Sequence, residues 1–110
     1  MSLRDPIVLL DDIREACNLI IKYKGNSSFD NFTADTRTVH AILYNFQVIG
    51  EAANRLSEDI RKKYHNIKWA DIIAFRNIVV HEYFGIDLRI VYQIATINVP
   101  ELLEKLKNIR

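Results

Sequence analysis

The chain has 110 residues, 49% of them apolar and 26% charged, which supports one hydrophobic core and excludes two domains. Fifteen basic against fourteen acidic residues give a net charge of +1, so no overall field draws the protein to nucleic acid or anionic lipid. A single cysteine excludes an intramolecular disulfide, no apolar run approaches the roughly 20 residues of a membrane span, and the start MSLRDPIVLLDD lacks a signal peptide's cleavage region.

A cytoplasmic protein with no membrane segment is expected, folded as one domain over residues 1–110. Three glycines and two prolines are few for a protein of short strands and tight turns, and favour long helices.

Asp5-Pro6 reads as a helix start, because aspartate caps free amides and proline is pre-set for the first helical position. The helix runs to about Lys24, with Ile7, Leu10, Ile13, Cys17, Ile20 and Ile21 at helical spacing and Asp11, Arg14, Glu15, Asn18 and Lys22 on the other side. Gly25-Asn26-Ser27-Ser28 ends it, and one short turn is expected near Phe29 to Ala34.

Asp35 or Thr36 caps the next helix, which continues to about Leu56 through Val39, Ile42, Leu43, Phe46, Ile49 and Ala53. Gly50 interrupts it at a cost of about 1 kcal/mol, which points to a close helix crossing at that turn. Ser57-Glu58-Asp59 starts a short helix through about Tyr64, and Trp69, Ile72, Ile73, Phe75, Ile78, Val79 and Val80 predict an apolar helix over about 67–80.

Gly85 reads as a left-handed turn residue, and Asp87 as the cap of a last helix reaching Ile109. Pro100 lies inside that pattern, so a kink or restart is expected near Val99. The sum is an all-α bundle of four principal helices with one or two short ones.

The chemistry gathers where the fifth segment ends. Arg76 stands in an almost wholly apolar window, and a partly buried guanidinium is costly unless an anion or hydrogen-bond partner compensates it. Asn77 adds an amide, and His81 adds a side chain that exchanges protons near neutrality. A base to take a 2′-hydroxyl proton and a cation to stabilise charge on phosphate oxygens suit metal-independent RNA cleavage.

Five steps at about 100° set Arg76 and His81 roughly 140° apart on an ideal helix. The expectation is that the helix loosens before His81, and that a symmetric dimer completes the site. An Arg-x4-His spacing alone is a weak motif, and its simpler reading is an arginine paired with a carboxylate and a histidine hydrogen-bonded near a helix end.

Glu51 either orients His81, pairs with Arg76, or forms part of a solvated surface. Lys62-Lys63-Tyr64-His65 is a small basic cluster that reads most simply as a solvated patch. His40 and His65 lack cysteines or paired acids at ligand spacing, so neither a metal nor another cofactor is expected, and Cys17 reads as core filling.

The segment FRNIVVHEYFGIDLRIVYQI, with Arg76 to Tyr83 as R-x4-H-x-Y, resembles the HepT toxins of the HEPN superfamily. The likeness extends through TVHAILYNFQVIGEAANRLS (38–57) and IKWADII, with Lys68 standing where relatives often have proline, a difference that bears on a turn.

The resemblance implies a HEPN-type bundle and a toxin-antitoxin ribonuclease that cuts RNA, mRNA or tRNA, to a 2′,3′-cyclic phosphate, with Arg76 and His81 catalytic in a homodimeric cleft and Asn77 and Glu51 supporting. It also implies a neighbouring MntA-like nucleotidyltransferase antitoxin that transfers AMP to Tyr83; a packed aromatic is the plainer reading of that tyrosine. A second expectation, of another class, is a non-catalytic helical partner of such a nucleotidyltransferase.

Overall fold

A computed structural model describes residues 5–109. Within them the chain forms helices and no strands: α1 Pro6–Lys24, α2 Phe29–Ala34, α3 Thr36–Arg55, α4 Glu58–Lys63, α5 Trp69–His81, α6 Leu88–Gln93, a π turn Ile94–Asn98 and α7 Val99–Lys107.

The helix starts follow from short polar side chains that satisfy free amides. Asp5 accepts from Ile7 N at 2.8 Å, Ser28 from Asn31 N at 3.1 Å, Ser57 from Ile60 N at 3.3 Å and Asp87 from Arg89 N at 2.9 Å. Asp35 caps α3 twice over, accepting from Thr38 N at 3.2 Å and from Thr38 Oγ1 at 2.7 Å. These bonds to Thr38 hold its carboxyl below the ordinary value of 3.8. Gly25 ends α1 with φ +51°, a dihedral that a side chain disfavours.

The third helix is the centre of the bundle. It packs against α1 on one side and α5 on another, and α1 in turn carries the π turn and α7. The contact layer is apolar: Leu10, Ile13, Cys17 and Ile20 of α1 meet a core containing Ile42, Leu43, Phe46 and Ala53 of α3, with Val79, Val91, Val99 and Leu106 from the later elements. Phe46 and Phe75 meet edge to face with centroids 5.0 Å apart where α3 faces α5. Burial pushes the Cys17 thiol up to about 12, the behaviour of a small apolar filler.

Three features depart from the sequence expectations. The fifth helix starts at Trp69 and not at Ile67, because the Tyr64 carbonyl accepts from both Ile67 N (3.1 Å) and Trp69 Nε1 (3.1 Å) and folds the intervening residues into a turn. Gly85 is not left-handed; Gly25 is the one glycine with positive φ among the described residues. The turn after α5 closes instead through Gly85 N bonding Glu82 O at 2.9 Å, which needs no special dihedral.

The restart expected near Val99 is found: a π turn interrupts the pattern and α7 begins at Val99 with proline in its first turn, where a missing amide costs nothing. Arg14 is not on a solvent face. Its Nη2 donates to the carbonyls of Leu106 (3.0 Å) and Ile109 (3.1 Å), while Nη1 pairs with Asp11 at 2.6 Å.

Candidate functional site

The crossing of α3 and α5 is unusually close at one place, and that place is Gly50. A Cβ built on Gly50 would fall within 3.0 Å of both Cβ and Cγ of Arg76, and 3.4 Å from Cδ. The glycine therefore provides the seat of the arginine stem, which gives the expected close crossing a specific partner. Nothing smaller than glycine exists, so the roughly 1 kcal/mol of helix propensity lost there is the cost of bringing Arg76 flat against α3.

Held in this seat, the guanidinium is fixed from two sides. Arg76 Nη2 forms a short charge-assisted bond with Glu51 Oε2, and Nη1 donates to Asn77 Oδ1 at 2.9 Å. Its Nε is buried without a hydrogen-bond partner. Of the alternatives open for Glu51, the geometry selects the pair with Arg76. The same carboxylate has Arg55 Nη2 at 3.8 Å, so one negative charge is shared between two arginines and the local balance stays positive.

The Arg76 side chain is 31% exposed and that of Glu51 48%, and an ion pair so open to water contributes roughly 0 to 1 kcal/mol of stability. Its consequence is geometric: a guanidinium with a fixed direction and one face available to solvent.

His81 is the last residue of α5, and the helix stays regular through it, with Glu82 N bonding Ile78 O at 2.9 Å. The loosening expected before His81 does not occur. An unbroken run of intrahelical bonds leaves no local reason to unwind, so Arg76 and His81 remain about 140° apart around α5. Arg76 turns toward α3, whereas His81 is exposed on the outward side with Asn77 one turn before it.

The same helix also exposes apolar side chains. Ile78 is 45% exposed and Val80 39%, on a helix whose other flank already fills the core.

Tyr83, in the turn beyond α5, is half-buried. Its ring lies 5.5 Å from that of His40 on α3 and 5.4 Å, edge to face, from that of Phe84. Phe84 itself is 98% exposed and Tyr44, one turn along α3 from His40, is 64% exposed. His40 was not legible as a neighbour of the motif, because only the antiparallel crossing of α3 and α5 brings the start of one to the end of the other.

Elsewhere, no group of three or more His, Cys, Asp or Glu among the described residues lies close enough to hold a metal ion. A cavity of about 230 Å³ opens between α3, α5 and α7, lined by Phe46, Ile72, Phe75 and Leu102 with Asp71 and Lys105 at its rim. It does not include Arg76 or His81. No helix of the described residues is long and apolar enough to cross a membrane.

Comparison with known proteins places this geometry in a family. The chain is 31% identical over 107 residues to the protein named "Putative RNase MJ1380" of Methanocaldococcus jannaschii, covering 97% of this chain and 98% of that one. It is 30% identical over 101 residues to "Probable ribonuclease HepT" of Thermococcus cleftensis, with 92% of each chain covered. A third relative, "Putative RNase MJ0127" of Methanocaldococcus jannaschii, is 33% identical over 109 residues, 99% of this chain and 90% of the relative. No solved structure shows a significant match. The model of the family described as Ribonuclease HepT-like matches residues 13–109, which takes in α3, α5 and every residue of the Arg76 seat, and the chain belongs to this HepT-like family of HEPN proteins.

Proposed function

We propose that this chain is an endoribonuclease toxin that cuts RNA without a metal, works as a homodimer, and is silenced when a nucleotidyltransferase antitoxin adds AMP to Tyr83. The observation that carries the reading is the fixed Arg76 guanidinium, seated over Gly50 and oriented by Glu51 and Asn77, on the same helix as an exposed His81.

In this mechanism His81 takes the proton of a 2′-hydroxyl and the 2′-oxygen attacks the adjacent phosphorus. Arg76 stabilises the charge that grows on the non-bridging oxygens. The bond to the 5′-oxygen breaks, that oxygen leaves with a proton from water or from an imidazolium, and a 2′,3′-cyclic phosphate remains. Asn77 and Glu51 hold the guanidinium in place and do not touch the reacting atoms.

The same geometry supports the dimer reading. One α5 presents its arginine and histidine about 140° apart, so a phosphate held by both within one chain would have to bend around the helix. A second copy, packed by a two-fold axis against the exposed Ile78 and Val80, brings the histidine of one chain toward the arginine of the other. Tyr83 lies two residues past His81, so an AMP group there would set a phosphate and a nucleoside beside the anion site and repel RNA.

The test uses protein that has never met its antitoxin, incubated with RNA in EDTA beside folded Arg76→Ala and His81→Ala variants. Cleavage to cyclic phosphate ends, lost in both variants, is expected; equal behaviour of all three removes the nuclease and leaves a non-catalytic partner. Light scattering at micromolar concentration should give twice the chain mass. Intact mass after exposure to the antitoxin and ATP should rise by AMP units in the parent and not in Tyr83→Phe.

A further inference from the structure

The positive charge of this chain is not spread evenly. Between residues 61 and 68 stand Arg61, Lys62, Lys63 and Lys68 with no acidic residue among them, four formal charges in a chain whose total is +1. Lys62 and Lys63 are exposed at the C-terminal end of α4, and His65 and Lys68 are exposed in the turn that follows. None of the four cations has a carboxylate in ion-pair range among the described residues, whereas Arg14, Arg55, Arg76, Lys105 and Lys107 each have one. Lys63 instead sits over the ring of Tyr64, with its ammonium 5.4 Å from the ring centroid.

Arg61 sharpens the picture, because its Nε is buried and has no hydrogen-bond partner. A half-buried guanidinium left unpaired is costly, and an anion is the group that would satisfy it.

The cluster is also continuous with the candidate cutting site. Glu51, which holds Arg76, has Arg55 one turn further along α3 at 3.8 Å, and α4 begins three residues beyond Arg55. Along the chain the α4 cations thus follow closely on Arg55, which shares the Glu51 carboxylate with Arg76.

We propose that α4 and the turn after it form a phosphate-tracking surface for single-stranded RNA, which grips the backbone a few nucleotides from the bond that Arg76 and His81 address. Cations without carboxylate partners suit the phosphates of an RNA backbone, and the exposed His65 and half-buried Tyr64 offer rings beside them. The inference rests on the ribonuclease reading for its partner, but its test does not depend on cleavage.

A fluorescent RNA decamer is bound to His81→Ala protein, which holds RNA without the proposed base, over a series of salt concentrations. The same is done with Lys62→Ala/Lys63→Ala added and with Lys62→Arg/Lys63→Arg added. Loss of two phosphate contacts should lower the slope of log affinity against log salt by about 1.4 and weaken binding roughly 10- to 30-fold near 0.1 M salt, with the arginine pair unchanged.

In the protein that retains His81, the alanine pair should slow cleavage of the decamer and leave a dinucleotide, which cannot span to α4, cut at the parent rate. If the parent cuts neither RNA, the ribonuclease reading fails, and the binding slope still decides whether the surface exists. A slope unchanged by the alanine pair overturns the proposal and leaves the cluster to an acidic protein or to solvent.

Discussion

Replacing Gly50 by alanine sets two effects of known size against each other. Alanine is favoured over glycine within a helix by about 1 kcal/mol, and in an open position α3 would gain that amount. Here the added methyl would stand within 3.0 Å of Arg76 Cβ and Cγ. The Cβ of an arginine cannot be moved by changing rotamer, so the clash is relieved only by separating α3 from α5. Forcing a methyl into a packed crossing costs about 1–3 kcal/mol. The net change is a destabilisation of up to about 2 kcal/mol, or a fall in midpoint of up to roughly 15 °C at about 4–8 °C per kcal/mol.

The effect on function should be larger than the effect on stability. Opening the crossing by the ångström or more that the methyl requires lifts the guanidinium from Glu51 and Asn77, and a misplacement near 1 Å can cost about 100-fold in rate. Thermal unfolding by circular dichroism reads the first quantity, and RNA cleavage well below both midpoints reads the second. Combining Gly50→Ala with Arg76→Gly removes the clash from both sides, so the double variant should be more stable than the sum of the single losses. A Gly50→Ala protein that is stabilised by about 1 kcal/mol and cleaves like the parent would refute the seat.

Three further outcomes follow from the packing. Arg14→Ala removes a cation that bonds two carbonyls at the end of α7 and should cost about 1.5–3 kcal/mol in denaturant unfolding, where an exposed arginine would cost almost nothing. Cys17, fully buried with its thiol pushed up to about 12, should resist a disulfide reagent at pH 8 until denaturant exposes it; prompt labelling of native protein would contradict the core placement. Asp35, whose carboxyl is held below 3.8, binds its proton more weakly folded than unfolded, so its contribution is complete above 3.8 and fades as pH falls below it. The midpoint difference between the parent and Asp35→Ala should accordingly shrink through that range, and a constant gap would show that the cap acts without its charge.

Much of the bundle could be read from the residues because helix ends are decided locally. Asp5, Ser28, Asp35, Ser57 and Asp87 each cap an amide two or three residues away, and Gly25 takes the dihedral that stops α1. The apolar spacing of α1 and α3 likewise names the side that faces the core. Gly85 misled because the residue type that permits a left-handed turn does not require one, and the chain closes that turn by a plain backbone bond. Pro100 signalled the restart at Val99, but no residue pattern announced the π turn that precedes it.

The opening expectation about the Arg-His pair divides in the same way. Its composition is written in the sequence: an arginine in an apolar window needs an anion, and a histidine five residues later can move protons. Which anion, and in which direction the guanidinium points, depended on Glu51 lying 25 residues away and on Gly50 letting two helices touch. A helical period fixes angles around one axis and says nothing of what crosses that axis. Only the packing of α3 against α5 turned Arg76 inward onto Glu51, kept His81 outward on an unbroken helix, and set His40 against Tyr83.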